Sequence, residues 1–152
     1  RHRKKPLTSG ISQPPVFGMA LRYIHLKAMA SGQQQDRERM MKLLDAVVRS
    51  HRWWFEARDP DQLGLVSILH PWESGSDNSP AWDEALACVP ATTKTPIRRQ
   101  DTKHINAAMR PTNEDYQRFI HLVEIYRECQ WNPKEQWRRA PFKVGDVQTT
   151  AI

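Results

Sequence analysis

The side chains best suited to chemistry are concentrated in residues 70–83, here called the signature segment. It reads HPWESGSDNSPAWD and carries the carboxylates Glu73, Asp77 and Asp83 together with two tryptophans. Tryptophan rings stack on the C–H faces of a sugar, while carboxylates and amides hydrogen-bond its hydroxyl groups. These residue types favour a sugar site, and the high total of six tryptophans in the chain agrees with that interpretation.

Turn-forming residues prevent the signature segment from becoming a regular helix. Gly75, Asn78 and two prolines interrupt it, so we expect turns to fix its side chains. By residue type alone, a second interpretation is slightly favoured. The segment would then be an acidic surface loop with Trp72 and Trp82 packed into the core.

Amphipathic helices are predicted on both sides of the signature segment. Apolar residues recur at helical spacing over residues 14–32, 36–57 and 112–129, and a shorter helix is predicted over residues 133–139. Asp36 is a suitable N-cap for the second helix, which the sequence Asp-Pro-Asp ends just after it. Thr-Asn-Glu-Asp at the start of the third resembles a capping box.

The fifty or so residues between the second and third helices show weak periodicity. A connection of that length in a compact domain is usually functional or disordered, and its apolar first half argues against disorder. A strand is indicated at most over residues 65–69. The sequence therefore predicts an all-α fold with its chemistry carried on the connections.

Composition describes an ordinary soluble protein, and we expect no cofactor. Of 152 residues, 39% are hydrophobic and 26% charged, and no apolar run is long enough to cross a membrane. The net charge of +6 is scattered apart from a basic cluster at residues 1–5, which favours a solvated surface over a nucleic-acid partner. Cys88 and Cys129 lack metal-site spacing, and the histidines are dispersed, so we expect reduced thiols, no metal and a cytoplasmic location.

The exact order of the signature segment resembles the signature of glycoside hydrolase family 63 and related (α/α)₆ enzymes, which include the bacterial mannosylglycerate hydrolase group. It is similar in layout, more distantly, to the trehalase signature. The resemblance continues at residues 9–15 (SGISQPP), 59–66, 110–116 and 142–146. After residue 146 the chain departs from the family's P-x-F-N pattern.

The resemblance implies an inverting α-glycosidase in which Asp77 is the general acid. It implies one incomplete (α/α)₆ toroid segment over residues 1–152, an internal part of a larger barrel. It also implies that the partner is a carbohydrate or glycoside substrate. The implied substrate-binding residues are Gln13 and Gly75, which line the sugar subsite, and Trp72, Glu73 and Asn78, which shape it.

General-acid chemistry makes a specific demand on Asp77, which must carry a proton near neutral pH. Burial or a neighbouring carboxylate would provide this, and Glu73 or Asp83 could be that neighbour. For Glu73 an ion pair with an arginine is an alternative. For Asp83 a position at a helix N-terminus is favoured.

Inversion also needs a second carboxylate, about 6.5–9.5 Å from the first, to activate water. The resemblance places this base in a late glutamate with which no residue of this chain aligns. The glutamates of the third helix are predicted to be surface residues: Glu114, Glu124 and Glu128.

Several alternatives stay open at this point. The substrate implied is mannosylglycerate or glucosylglycerate, whereas a trehalase-like or α-glucosidase-like activity, or a catalytically silent helical binding module, is the alternative. Arg98, Arg99 and His104 could meet an anionic aglycone, although a solvated loop is favoured. Separated from neighbouring barrel helices, the chain is expected to expose apolar helix faces.

Overall fold

The structure is a computed structural model that describes residues 9–32 and 36–151; the basic cluster at residues 1–5 lies outside the described part. Short 3₁₀ helices lie in the connections at Pro71–Ser74, Pro80–Trp82, Asp101–Lys103 and Ala107–Met109. The described α-helices and strands are, in chain order, α1 (Phe17–Ala30), α2 (Arg37–Arg58), β1 (Ser67–Ile68), α3 (Asp83–Ala87), α4 (Asn113–Glu128), α5 (Pro133–Arg139), β2 (Val144–Gly145) and α6 (Val147–Ala151).

The helices predicted from the sequence are present, with small differences at their ends. Asp36 caps α2 by accepting the backbone N–H of Arg39 at 3.0 Å. The predicted capping box of α4 is also confirmed, because Thr112 and Asp115 each accept the other's backbone N–H. Helix α1 begins at Phe17, slightly later than the sequence indicated.

The predicted strand is present as β1, and it pairs with β2 in a two-stranded sheet. Strand β2 was missed because a two-residue strand carries no alternation, and its partner is distant in sequence. Just beyond β2, the carboxylate of Asp146 accepts the N–H of Thr149 at 3.0 Å. The segment that departs from the family pattern therefore forms a capped helix, α6.

The described chain divides into two compact units. The first contains residues 9–13 and 68–144, and the second contains residues 14–67 and 145–151. All residues predicted to form the site belong to the first unit.

Helix α4 is the centre of the first unit. Its buried residues, Phe119, Leu122 and Tyr126, follow helical spacing along one face. The hydroxyl of Tyr126 donates a hydrogen bond to the carbonyl of Leu69, which anchors the strand end leading into the signature segment. The remaining buried residues of this core come from β1, the connections and the flanking helices: Ile68, Leu69, Trp82, Leu86, Val89, Ala140 and Phe142.

The second unit contains α1 and α2, which pack against each other but leave much apolar surface exposed. None of the fourteen residues of α1, all of them described, is buried. Met19, Tyr23 and Met29 expose 61%, 61% and 64% of their surface. Helices of soluble proteins normally turn such a face toward a core. The expectation that this chain exposes apolar helix faces is confirmed.

Candidate active site

Two 3₁₀ helices frame the signature segment and fix its local shape. His70 begins the first (Pro71–Ser74), where its Nδ1 accepts the backbone N–H two residues further on at 3.1 Å. Ser79 begins the second (Pro80–Trp82) in the same way, at 3.3 Å. Proline fits both first turns because no hydrogen bond is lost there. The prediction that turns replace a regular helix is confirmed.

Asp77 lies in the turn between these 3₁₀ helices. The N–H of Ser79 donates to the carbonyl of Ser76 at 3.0 Å, which leaves Asp77 and Asn78 as the central residues. The same carbonyl accepts the indole N–H of Trp82 at 2.7 Å. Trp82 is 7% exposed, so a core residue holds the base of the turn. The backbone position of Asp77 is thereby tied to the core.

The carboxylate of Asp77 forms an ion pair with Arg110. Its Oδ2 lies 3.5 Å from Nη2, and the two side chains are 28% and 25% exposed. From the sequence, Glu73 or Asp83 could have been the charged neighbour of Asp77, but the structure places this guanidinium next to it. Asp83 is exposed at the start of α3, as its helix N-terminal alternative predicted.

Arg110 is held in turn by Asp101, which also binds Arg99. Asp101 Oδ2 accepts from Nε of Arg110 at 3.0 Å, and the carboxylate takes two hydrogen bonds from Arg99 at 3.1 and 2.8 Å. Arg99 lies over the ring of Tyr116, 4.2 Å from its centroid, and donates to Asn113 at 3.0 Å. The hydrogen bonds from Arg99, then those from Arg110 and Tyr116, hold the pKa of Asp101 well below its usual range.

This network corrects the prediction of a solvated loop around residues 98–104. Arg98 and His104 are exposed, as predicted, but the side chain of Arg99 is only 13% exposed. The cation next to Asp77 is Arg110, to which the sequence analysis gave no role. Arg110 could have been identified from its position in residues 110–116, one of the segments that resemble the family.

Glu73 is the buried carboxylate of the signature segment, with 1% of its surface exposed. One oxygen accepts the N–H of Leu69 at 2.8 Å, and the other accepts the N–H of Ser12 at 3.2 Å. The second bond brings Ser12 and the adjacent Gln13 to the signature segment, and Gln13 is exposed. Two elements that are separated by some sixty residues in sequence therefore meet at Glu73.

His70 joins the signature segment to α4 as a neutral imidazole. Its Nε2 lies 3.1 Å from the carbonyl oxygen of Phe119, and its Nδ1 accepts the N–H of Trp72. These partners require the proton on Nε2. Burial lowers the pKa of His70 to about 4, although Phe119, Glu73 and Asp77 act to raise it. His70 is therefore a structural residue that joins the signature segment to α4.

The other predicted site residues lie around the same turn. Gly75 is exposed and has a φ of 72°, a left-handed conformation that favours glycine. Asn78 donates to the carbonyl of Met109 at 3.2 Å, beside Arg110. Trp72 is half-buried against the core, so the interpretation that placed both tryptophans in the core fits Trp82 fully and Trp72 in part.

Glu124 is not the plain surface residue that the sequence predicted. Its carboxylate accepts hydrogen bonds from the side chains of Thr93 and Thr95, at 2.8 and 2.6 Å, and from the backbone of residues 94 and 95. Burial raises its pKa, but these bonds outweigh that effect and lower it to about 2. Glu124 therefore fixes the connection that leads to Arg99.

A comparison with protein families shows which family the chain belongs to. The model described as the mannosylglycerate hydrolase MGH1-like glycoside hydrolase domain matches residues 1–152. The chain belongs to this family.

Relatives and solved structures agree with this family. The chain is 45% identical to a mannosylglycerate hydrolase of Thermus thermophilus over 150 residues, 99% of this chain and 36% of the relative. It is 35% identical to a glucosylglycerate hydrolase of Mycolicibacterium hassiacum, over 96% of this chain and 34% of the relative. The chain thus spans about a third of the length of these relatives.

The chain is similar in structure to a GH63 mannosylglycerate hydrolase from another strain of Thermus thermophilus, crystallised with Tris and D-glycerate. The TM-score is 0.79 at 42% identity, over 96% of this chain and 37% of that one. Against the complex of the same hydrolase with glucose, the TM-score is 0.73 at 44% identity, covering 97% and 35%. The predicted class, an all-α part of an (α/α)₆ barrel, is confirmed.

Metal and membrane features are not evident in the part of the chain that the structure describes. Over residues 9–32 and 36–151, no group of three or more metal-ligating side chains is assembled. Across the same residues, no helix has the length and apolar content needed to span a bilayer. Cys88 is exposed and Cys129 is buried, and both are free thiols.

Proposed function

We propose that this chain is the acid-bearing part of an inverting α-glycosidase, in which Asp77 protonates the glycosidic oxygen. The observation that carries this proposal is the turn of Asp77. Its backbone is tied to the buried Trp82, while its carboxyl group is half-exposed. A general acid needs this combination of fixed position and access to substrate.

The base of the reaction is a glutamate outside these 152 residues. It activates a water molecule on the opposite face of the sugar, about 6.5–9.5 Å from the Asp77 carboxyl group. Glu124 of this chain is poorly suited to be that base, because its oxygens already accept hydrogen bonds from the connection at residues 93–95.

The sugar subsite is formed around the same turn. The sugar hydroxyls contact the exposed side chain of Gln13 and the exposed backbone of Gly75. The half-buried Trp72 contacts the sugar with the exposed part of its ring. Glu73 and Asn78 shape the subsite by holding the two segments in place, through Ser12 and the carbonyl of Met109 respectively.

The substrate is an α-glycoside with an anionic aglycone, mannosylglycerate or glucosylglycerate. Relatives are named for those two substrates, and a solved neighbour contains D-glycerate. In this chain, Arg110 supplies a half-exposed cation beside the acid. A guanidinium binds a carboxylate through paired, charge-assisted hydrogen bonds. An aglycone carboxylate that binds Arg110 replaces Asp77 as its partner and leaves the acid next to the glycosidic oxygen.

The test is hydrolysis by the complete enzyme of a panel that contains both glycerates, trehalose and neutral α-glucosides. NMR of the fresh product should show the β-anomer first, because inversion converts an α-glycoside into a β-sugar. The α-anomer first would contradict the mechanism. Preference for trehalose or neutral glucosides would support the alternative activities, and no turnover of any substrate would support a silent module.

A matched pair of variants tests the acid itself. Asp77→Asn should lower kcat by about 10²–10⁴-fold and leave D-glycerate binding in place. Asp83→Asn, on the exposed start of α3, should change kcat by less than about threefold. Unchanged hydrolysis by Asp77→Asn would remove Asp77 from the acid role.

A further inference from the structure

We infer that Asp101 is a positioning residue that sets the selectivity for an anionic aglycone, by holding the guanidinium of Arg110 next to Asp77. The inference rests on the proposed function and goes further, because it assigns the selectivity to a carboxylate that touches neither the sugar nor the acid.

The contacts of Arg110 show how this positioning works. Asp101 accepts from Nε, on one edge of the guanidinium, at 3.0 Å. The side chain of Tyr116 also interacts with this guanidinium, and Nη2 meets Asp77 only at the long distance of 3.5 Å. A guanidinium that is anchored through Nε keeps its plane fixed while its terminal nitrogens exchange partners. That arrangement suits the capture of an incoming carboxylate.

Asp101 is itself anchored from the opposite side. Arg99 binds both of its oxygens, lies over the ring of Tyr116 and donates to Asn113. The side chains of Arg99 and Asp101 are 13% and 17% exposed, so solvent screens the pair only in part. Loss of the Asp101 charge would leave Arg99 in place, because it keeps its ring and amide contacts. It would loosen Arg110, which would keep its contact with Tyr116 and the long ion pair with Asp77.

The charge balance supports the same assignment. Arg99 and Arg110 approach one carboxylate, and a neutral side chain there would leave two neighbouring guanidiniums with only the long Asp77 ion pair to offset their charge. Arg110 would then move away from Arg99. The expected consequence is weaker capture of anionic aglycones, with little change for neutral ones.

The experiment uses the complete enzyme with Asp101→Asn, which has nearly the same shape without the charge. Two substrates share one sugar and differ in the aglycone, glycerate in one and uncharged glycerol in the other. We expect kcat/KM for the glycerate substrate to fall about tenfold or more, mainly through KM. For the glycerol substrate it should change by less than about threefold. Asp101→Glu keeps the charge and should recover part of the loss.

Glu128→Gln is the matched control, because that exposed carboxylate on α4 also pairs with an arginine, Arg139. It should leave the ratio of the two kcat/KM values unchanged. Calorimetric binding of D-glycerate gives a second readout that does not need turnover, and Asp101→Asn should weaken it about tenfold.

The outcomes separate this inference from the proposed function. If wild type does not prefer the glycerate substrate, the proposed function fails. If wild type prefers it and Asp101→Asn keeps that preference, this inference alone is overturned. An equal loss for both substrates, accompanied by a lower melting temperature, would show a purely structural role and would also overturn it.

Discussion

Nη2 of Arg110 lies 3.5 Å from Oδ2 of Asp77, so the residue proposed to donate a proton is paired with a permanent cation. These residues are separated by 33 positions in sequence, and the fold of the connection between them creates the pair. An anionic aglycone and the acid would share this one guanidinium. In the proposed function, Arg110 links the charge of the substrate to the chemistry at Asp77.

Replacement of Arg110 should distinguish substrates by charge. Arg110→Gln in the complete enzyme is expected to lower kcat/KM for a glycerate-bearing α-glycoside by about 10–100-fold, the usual worth of a charge-assisted hydrogen-bond pair. Arg110→Lys should recover only part, because an ammonium cannot form the planar fork. Initial rates against glycerate and glycerol substrates measure the effect. Equal rates for wild type and Arg110→Gln on the glycerate substrate would contradict the assigned contact.

Glu73 is predicted to be a stabilising residue as well as a shaping one. Glu73→Gln places an amide N–H₂ against a backbone N–H, either that of Ser12 or that of Leu69. The free energy of unfolding should fall by about 1–3 kcal/mol. Hydrogen exchange at residues 12 and 13 should accelerate. Glu114→Gln, at an exposed position on α4, is the control. It should change neither the free energy of unfolding nor the hydrogen exchange at residues 12 and 13. A variant that melts like wild type would rule out this role for Glu73.

His70 should make stability fall as the pH is lowered toward 4. The folded-state pKa of about 4 lies below the unfolded value of 6.5. Between these values the unfolded chain binds a proton that the native state does not. The contribution of His70 to stability is thus fully present above pH 6.5 and is lost as the pH falls through the folded-state pKa. Its size is up to about 3 kcal/mol.

A non-titrating variant isolates this contribution from the rest of the protein. His70→Gln keeps an amide donor for the carbonyl of Phe119. Urea unfolding at several pH values between about 4 and 7 should give a shallower pH dependence for the variant than for wild type. Parallel curves would show that His70 is not the titrating group.

The exposed apolar surface of α1 predicts marginal stability for the 152-residue chain by itself. We expect dye binding, aggregation or a broad melt, because large apolar patches are rarely exposed on stable monomers. Ile24, 56% exposed, gives a matched test. Ile24→Lys should increase the solubility of the isolated chain and lower the melting temperature of the complete enzyme. A sharp, cooperative melt of the isolated chain as a monomer would contradict the prediction.

Local chemistry made the helices and the motif predictable. Apolar spacing identified α1, α2 and α4, and the caps at Asp36 and Thr112 located helix starts to within a residue. The turn formers around Asp77 excluded a helix, and the order of residues 70–83 indicated the family. Each of these signals lies within a few consecutive residues, where hydrogen bonds and side-chain spacing are set by the sequence itself.

The electrostatic environment of the site was decided only by the tertiary structure. Neither the pairing of Asp77 with Arg110 nor the anchoring of Arg110 by Asp101 follows from residue spacing. Likewise, helical spacing predicted Glu124 to be a solvated residue, whereas in the structure the connection at residues 93–95 binds its carboxylate. A long connection can close in many ways, and the path it takes depends on which side chains the core buries. The sequence determined which groups can react, and the packing of the connections against α4 determined which charges meet.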